Sequence, residues 1–160
     1  GGESIGYNMA ATKDILDWVR PLIPENKPHY TMGVGYSPLD LFEVVERGID
    51  MFDCAAPTRV ARNGTLYVGQ EKINIHNAQF RADKNPIDPN CACFTCTHHT
   101  RSYLHHLFKA EELLAYRLAT IHNVYFFLNL MKQIREAIKE DRFLELKANA
   151  TGYSKPVAST

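Results

Sequence analysis

The 160-residue chain is 45% hydrophobic and 22% charged, with a mean hydropathy of −0.29, which places it among folded globular proteins and outside the disordered and fibrous classes. Its 18 basic and 18 acidic residues cancel, so no global field marks a nucleic-acid binder and any RNA contact has to be local. No apolar run nears the roughly 18 residues of a membrane helix and the first residues do not read as a signal peptide, so a cytoplasmic protein without membrane contact is expected.

The opening "GGESIG" has no initiator methionine, as a tag scar or a truncated start would leave it, and can be the end of a strand. Residues 10–20 carry Ile15, Leu16 and Val19 at helical spacing, and Pro21 and Pro24 close that segment. "HYTMGVG" (29–35) is a short apolar run ending in glycines, which suits a buried strand and its turn. "SPLDLFEVVERGID" follows with a start signal at Ser37 and Pro38, apolar Leu41, Phe42, Val44 and Val45, and Gly48 as the helix cap. "MFDCAAP" (51–57) reads as another strand, completing a parallel βαβ unit, or βαβαβ if "GGESIG" is counted. Such a pattern belongs to an α/β barrel or a doubly wound sheet. Three strands alone make neither, so the chain is expected to be the C-terminal portion of a larger barrel.

From 64 to 80 the pattern switches to period two around Gly69, which predicts an antiparallel hairpin. A polar, proline-marked loop (81–90) leads into the cysteines. Residues 101–147 read as two helices broken near "TIHN", with Leu104, Leu107, Phe108, Leu113, Leu114 and Leu118 on one apolar stripe. Val124, Phe127, Leu128, Met131, Ile134 and Ile138 form another. The expected division is 1–63 for the last βα units, 64–146 for the hairpin, metal subdomain and helices, and 147–160 for a loose tail.

"CACFTCTHH" (91–99) packs three of the four cysteines into six positions. Thiols spaced C-x-C-x-x-C cannot pair comfortably with one another, and three thiolates on one turn can converge on a zinc ion. A fourth ligand is needed, and spacing alone leaves His98, His99, His105, His106 and His122 open. A Cys₃His set closes the coordination sphere, so the metal is expected to be structural rather than catalytic. For Phe94 and the helical stripes, core packing is the default expectation.

The stretch "MFDCAAPTRVARNGTLYV" (51–68), followed by "NCACFTCTHHTRSYLHHLFKAEELLAYRLATIHN" (90–123), closely resembles the queuine tRNA-ribosyltransferase family, also called tRNA-guanine transglycosylase. The resemblance rests on the D-x-x-x-P-T-R-x-A-R-N-G block, the C-x-C-x-x-C cluster and T-I-H-N in one order. It extends back through "MGVG" to "GGESIG" and covers roughly residues 1–146 of a family chain more than twice as long. It implies a (β/α)8 TIM barrel with an inserted zinc subdomain, and one structural Zn²⁺ held by Cys91, Cys93, Cys96 and His122. The implied reaction exchanges the wobble guanine of tRNAs with a GUN anticodon for a 7-deazaguanine, queuine or its precursor. Asp53 matches the nucleophile that forms a covalent ribosyl-enzyme, and the proton-shuttling carboxylate lies in the family's N-terminal half, so this chain alone is expected to be inactive. Arg59 and Arg62 match arginines that contact the anticodon loop, with Lys72, His76 and Arg81 as further candidate phosphate contacts. Met32 matches the residue that packs on the base, while Gly2, Gly33 and Gly35 match positions where backbone approaches it.

Two positions depart from the family's G-G-L-x-x-G-E strand motif: Glu3 stands where an apolar residue is usual and Tyr7 where a glutamate is usual. Either an acidic Glu3 replaces the lost carboxylate for a cationic substituent, or the pocket is widened for queuine. Glu3 is thereby a candidate base-binding residue. A homodimer or heterodimer is expected. The rival reading is a non-catalytic zinc-containing module that binds tRNA or a dimer partner; retention of Asp53 with Arg59 and Arg62 argues against it.

Overall fold

A computed structural model describes residues 8–151, so Gly2, Glu3, Tyr7 and the first strand expected at "GGESIG" lie outside the described residues. The chain divides into two compact units, one of residues 1–55 and 133–160 and one of residues 56–132.

In the first unit, α1 (Met9–Val19) starts where the Asn8 side chain accepts from the Ala11 amide, 3.2 Å away. α2 (Pro38–Glu46) has the start its sequence announces. Ser37 caps it, Pro38 fills the first turn, and Asp40 Oδ2 accepts from the Ser37 amide at 2.9 Å. Between and after them run β1 (Tyr30–Thr31) and β2 (Met51–Phe52), parallel, with Tyr30 opposite Met51 and Thr31 opposite Phe52. This is the expected βαβ unit, with strands shorter than the apolar runs because glycines and Asp53 end them. Leu41, Phe42 and Val44 of α2 are buried with Val34 and Ile49, and the Phe42 ring meets Phe143 at 6.0 Å. Phe143 opens α7 (Phe143–Thr151), so residues 147–151 are helical rather than loose. Lys147 explains the difference: its Nζ sits 2.8 Å from Glu43 and 2.6 Å from Glu46, while Lys13 pairs with Glu43 from α1 at 2.7 Å. Glu43 is held down to about 2; burial opposes this, and the two lysines overcome it.

The second unit begins with α3 (Ala56–Arg62), a helix for which the sequence offers little periodicity. β3 (Thr65–Val68) and β4 (Glu71–Asn74) then form the predicted antiparallel hairpin, in the register Thr65–Asn74 to Val68–Glu71. Gly69 makes the two-residue turn at φ 56°, the left-handed backbone that tight hairpins use. After a single 3₁₀ turn at Ala78–Phe80 come α4 (Phe94–His98), α5 (Arg101–Lys109) and α6 (Leu113–Lys139), whose residues from Gln133 onward belong to the first unit. Leu66, Ile75, Phe80, Ile87, Leu104 and Leu118 centre this unit's core. The expected break near "TIHN" is absent. α6 runs through it, and the chain turns instead at Glu111 and Asp141, both at φ 54°. The weak helix propensity of Thr, His and Asn is at most about 0.7 kcal/mol per residue, and the buried contacts of His122 and Asn123 described below outweigh it.

The stripes proposed for these helices are only partly core. Leu104, Leu107, Phe108, Leu118 and Ile134 are buried, whereas Leu113, Leu114, Val124, Leu128 and Ile138 are exposed. Phe94 is exposed as well, its ring stacked on His98 at 4.5 Å rather than packed in the core. No helix among the described residues is long and apolar enough to cross a membrane.

Candidate metal centre and strand-end carboxylate

Cys91, Cys93 and Cys96 lie on the loop before α4 and on that helix, and His122 reaches them from the middle of α6. The four ligand atoms lie within 4.8 Å of one another, and the three sulfurs stand 3.7, 3.5 and 3.4 Å from His122 Nδ1. An ion at the centre of a tetrahedron, about 2.3 Å from sulfur and about 2.0 Å from nitrogen, sets sulfur and nitrogen about 3.5 Å apart. The three sulfur–nitrogen distances therefore suit an ion of zinc's size and geometry. Cys93, Cys96 and His122 are buried and Cys91 is half-buried, so all four vertices are protein and none opens to water.

The surroundings decide which atoms can ligate. His122 Nε2–H donates to the Tyr67 carbonyl at 2.8 Å, which fixes the tautomer and leaves the Nδ1 lone pair facing the sulfurs. The Cys96 amide donates to Cys93 Sγ at 3.3 Å. The Cys96 side chain draws Cys93 toward thiolate, against burial and with help from His122. The same contact and burial push Cys96 up, and burial raises Cys91. A divalent cation at the centre would supply the charge that lets the thiols deprotonate.

The other histidines are engaged elsewhere. His105 is buried and its Nδ1 meets the Ile75 carbonyl at 2.7 Å. His98 bonds the Phe94 carbonyl through Nδ1 at 3.0 Å, and His99 stacks on Tyr103 at 5.2 Å. His106 is exposed.

Asn123, beside the histidine, is a residue whose role the sequence does not announce. It is fully buried, accepts from the Tyr67 amide at 3.2 Å and donates to the carbonyls of Pro57 and Thr65 at 3.1 and 3.0 Å. Adjacent residues of one helix therefore grip both backbone groups of Tyr67, and through Asn123 the helix also holds α3 and the start of β3. A buried amide with three partners is costly to lose, because each orphaned group forfeits its share of desolvation.

In the first unit, Asp53 leaves the C-terminal end of β2 with an exposed carboxylate. The Tyr30 hydroxyl, reaching from β1, donates to its Oδ1, and that contact raises the tyrosine's own pKa. Nothing in the sequence singles out Tyr30; only the strand register brings it there. Because the strands are parallel, Met32 and Asp53 emerge at the same edge, and Met32 is exposed there. Gly33 follows at φ 71°, a conformation that suits glycine, and is exposed, so its backbone is open to approach. Gly35 is buried, and a side chain there would meet Leu41 at 3.2 Å. Within the second unit, Arg59 and Arg62 are exposed and three apart on α3, hence on one face. Lys72 lies 5.0 Å from the centre of the Tyr67 ring and His76 packs on Phe108 at 5.2 Å, while Arg81 is exposed.

Known proteins share much of this sequence. Residues 1–154 match the family model described as queuine tRNA-ribosyltransferase. A queuine tRNA-ribosyltransferase of Thermoanaerobacter sp. (strain X514) is 53% identical over 147 residues, covering 92% of this chain and 39% of that protein. The protein of that name from Streptococcus equi subsp. zooepidemicus (strain H70) is 50% identical over 147 residues, covering 92% and 38%. One from Streptococcus pneumoniae (strain CGSP14) is 49% identical over 158 residues, covering 97% and 41%. The chain spans about two fifths of the length of these relatives. With a match this long over a chain that carries the Cys₃His cluster, the protein belongs to the queuine tRNA-ribosyltransferase family.

Proposed function

We propose that the full-length protein containing this chain is a tRNA-guanine transglycosylase, exchanging the wobble guanine of tRNAs with a GUN anticodon for a 7-deazaguanine. This chain would supply the C-terminal part of its (β/α)8 barrel, the nucleophile and a zinc subdomain. The observation that carries the reading is Asp53. In a member of this family, its carboxylate stands at the C-terminal end of a parallel strand, where barrel enzymes keep their active sites, with the Tyr30 hydroxyl holding one oxygen.

The chemistry follows from that position. The Asp53 carboxylate attacks C1′ of the ribose, the bond to guanine breaks, and its electron pair leaves on the base, which takes up a proton. The incoming base then gives up its ring N–H proton, replacing the one taken up by the leaving guanine, attacks C1′ through that nitrogen and displaces the carboxylate, restoring it. Met32 and Gly33, at the same strand edge, are the described residues suited to lie against a planar base; Gly2 and Glu3 complete this assignment from the family pattern. Zn²⁺, one per chain, is the proposed occupant of the Cys91, Cys93, Cys96 and His122 group, because three thiolates and an imidazole in a closed tetrahedron are its structural ligand set. Its contribution is to hold the loop at 91–96 to α6; no reacting group is routed through it.

Labelled guanine tests the reading: the full-length protein should incorporate it into tRNA bearing a GUN anticodon, and no incorporation would discard the proposal. The 160-residue chain alone should incorporate none, since the relatives are about two and a half times as long. Arg59 and Arg62 provide a second expected outcome. Replacing both by alanine in the full-length protein should make the slope of log affinity for tRNA against log salt shallower by about 1.4, at about 0.7 for each single-strand phosphate that is no longer neutralised. An unchanged slope would take these arginines off the RNA.

A further inference from the structure

We infer that His29 is a proton-dependent clamp, whose imidazolium bridges the Pro24 and Gly48 carbonyls and fixes the loop entering β1 against the turn entering β2. The geometry is specific. Nδ1 lies 2.9 Å from the Gly48 carbonyl oxygen and Nε2 lies 3.0 Å from that of Pro24. Carbonyl oxygens only accept, and a neutral imidazole has one N–H; only the imidazolium donates to both. In the neutral form one ring nitrogen turns a lone pair toward a carbonyl lone pair, so only one of the two carbonyls is held.

The backbone makes this position a hub. The His29 carbonyl accepts from the amides of Asp50 and Met51 at 2.9 and 3.0 Å, and its own amide donates to Asp50 Oδ2 at 2.7 Å. The next residue, Tyr30, carries the hydroxyl on Asp53, and Met51 is its strand partner. His29 therefore sits where β1 and β2 begin, one residue before the side chain that holds the proposed nucleophile. Two charged groups face the ring region from other elements. The Asp50 carboxylate, before β2, favours the imidazolium. The Arg20 guanidinium, at the end of α1 and close to Gly48, opposes it. The Pro24 and Gly48 carbonyls are the larger influences, and together they raise His29 above the ordinary histidine value.

The sign follows from linkage. Because the folded value is the higher one, the clamp's contribution is complete below the unfolded histidine value and is lost as pH rises through the folded value. The clamp makes His29 a positioning residue that acts through Tyr30. That catalytic consequence rests on the reading of Asp53; the clamp itself does not.

The experiment uses the full-length protein. NMR titration of the histidine ring signals, with His29 assigned by its loss in His29→Gln, should give a His29 midpoint above about 6.5. Glutamine cannot donate in two opposite directions. The thermal stability advantage of wild type over His29→Gln should therefore be present near about pH 5.5 and gone near about pH 8.5, on either side of the histidine range. His29→Arg, permanently charged and with several donors, should keep the advantage at both. A His29 midpoint at or below the ordinary value, or an advantage that does not change with pH, would overturn the clamp. In guanine exchange, the ratio of wild type to His29→Arg should fall as pH rises. Since the titration reads the clamp without turnover, absence of exchange overturns the reading of Asp53 and leaves the clamp standing.

Discussion

Serine at Cys93 should empty the metal centre and unfold the unit of residues 56–132. Structural zinc in small domains binds with an apparent free energy of about 10–16 kcal/mol near neutral pH, which matches or exceeds the about 5–15 kcal/mol by which whole domains are stable. Cys93 is the most buried of the three thiols and the one of them drawn toward thiolate. A hydroxyl there is a poor ligand and a shorter side chain. Metal analysis of the purified full-length variant should give far less than one zinc per chain. Limited proteolysis should then cut between the hairpin and α6, where wild type resists. A variant that keeps full occupancy and resistance would show that the group is not a structural centre. Acid should act in the same direction, since protonation of the thiolates and of His122 competes with the ion.

The second large effect is on chemistry. Asp53→Asn should abolish both guanine exchange and the covalent protein–RNA adduct, because an amide oxygen is not a nucleophile toward C1′. Deleting a nucleophile in a well-studied hydrolase costs about a million-fold in turnover, so the residual rate here should fall below detection. Fold is not at stake. Asparagine Oδ1 can still accept from the Tyr30 hydroxyl, and Asp53 is exposed, so metal content and thermal stability should match wild type. Normal exchange by the variant would remove the nucleophile assignment. Lost activity together with lost zinc would mean only that the protein had unfolded.

Which features can be read from the chain follows from their range. α2 is legible because Ser37, Pro38 and Gly48 punctuate it locally, and the hairpin because Gly69 sits between two period-two runs. The three cysteines announce a metal by their density alone. Their partner does not follow from spacing, since five histidines lie within reach along the chain; the T-I-H-N resemblance points to His122, and the packing of α6 on the loop brings it to the sulfurs. α3 is hidden because "APTRVAR" buries residues on a short helix with no repeat long enough to show a period. Tyr30 and Asn123 are hidden for a common reason. Each acts on a residue at least 23 positions away, across a strand pair or between a helix and a hairpin, and such partners are set by register and packing rather than by neighbours.

The metal centre also has a consequence for how its unit comes together. Cys91, Cys93 and Cys96 span six positions, so an ion can meet all three on a chain that is otherwise unfolded. His122 is 26 residues beyond Cys96. Capturing that last ligand closes a long loop containing α5, and on the chain-entropy view used for covalent cross-links, a closure of this size removes roughly 3.5 kcal/mol worth of freedom from the denatured ensemble. With zinc as the proposed occupant, the ion would act as a late-closing cross-link: loading at the three neighbouring thiols would be local, while capture of His122 would wait for α6 to arrive with the hairpin on its other side. Apo protein lacks that tether and must find the same pairing by diffusion of free segments, so refolding of this unit should speed up when zinc is supplied before the denaturant is removed rather than after.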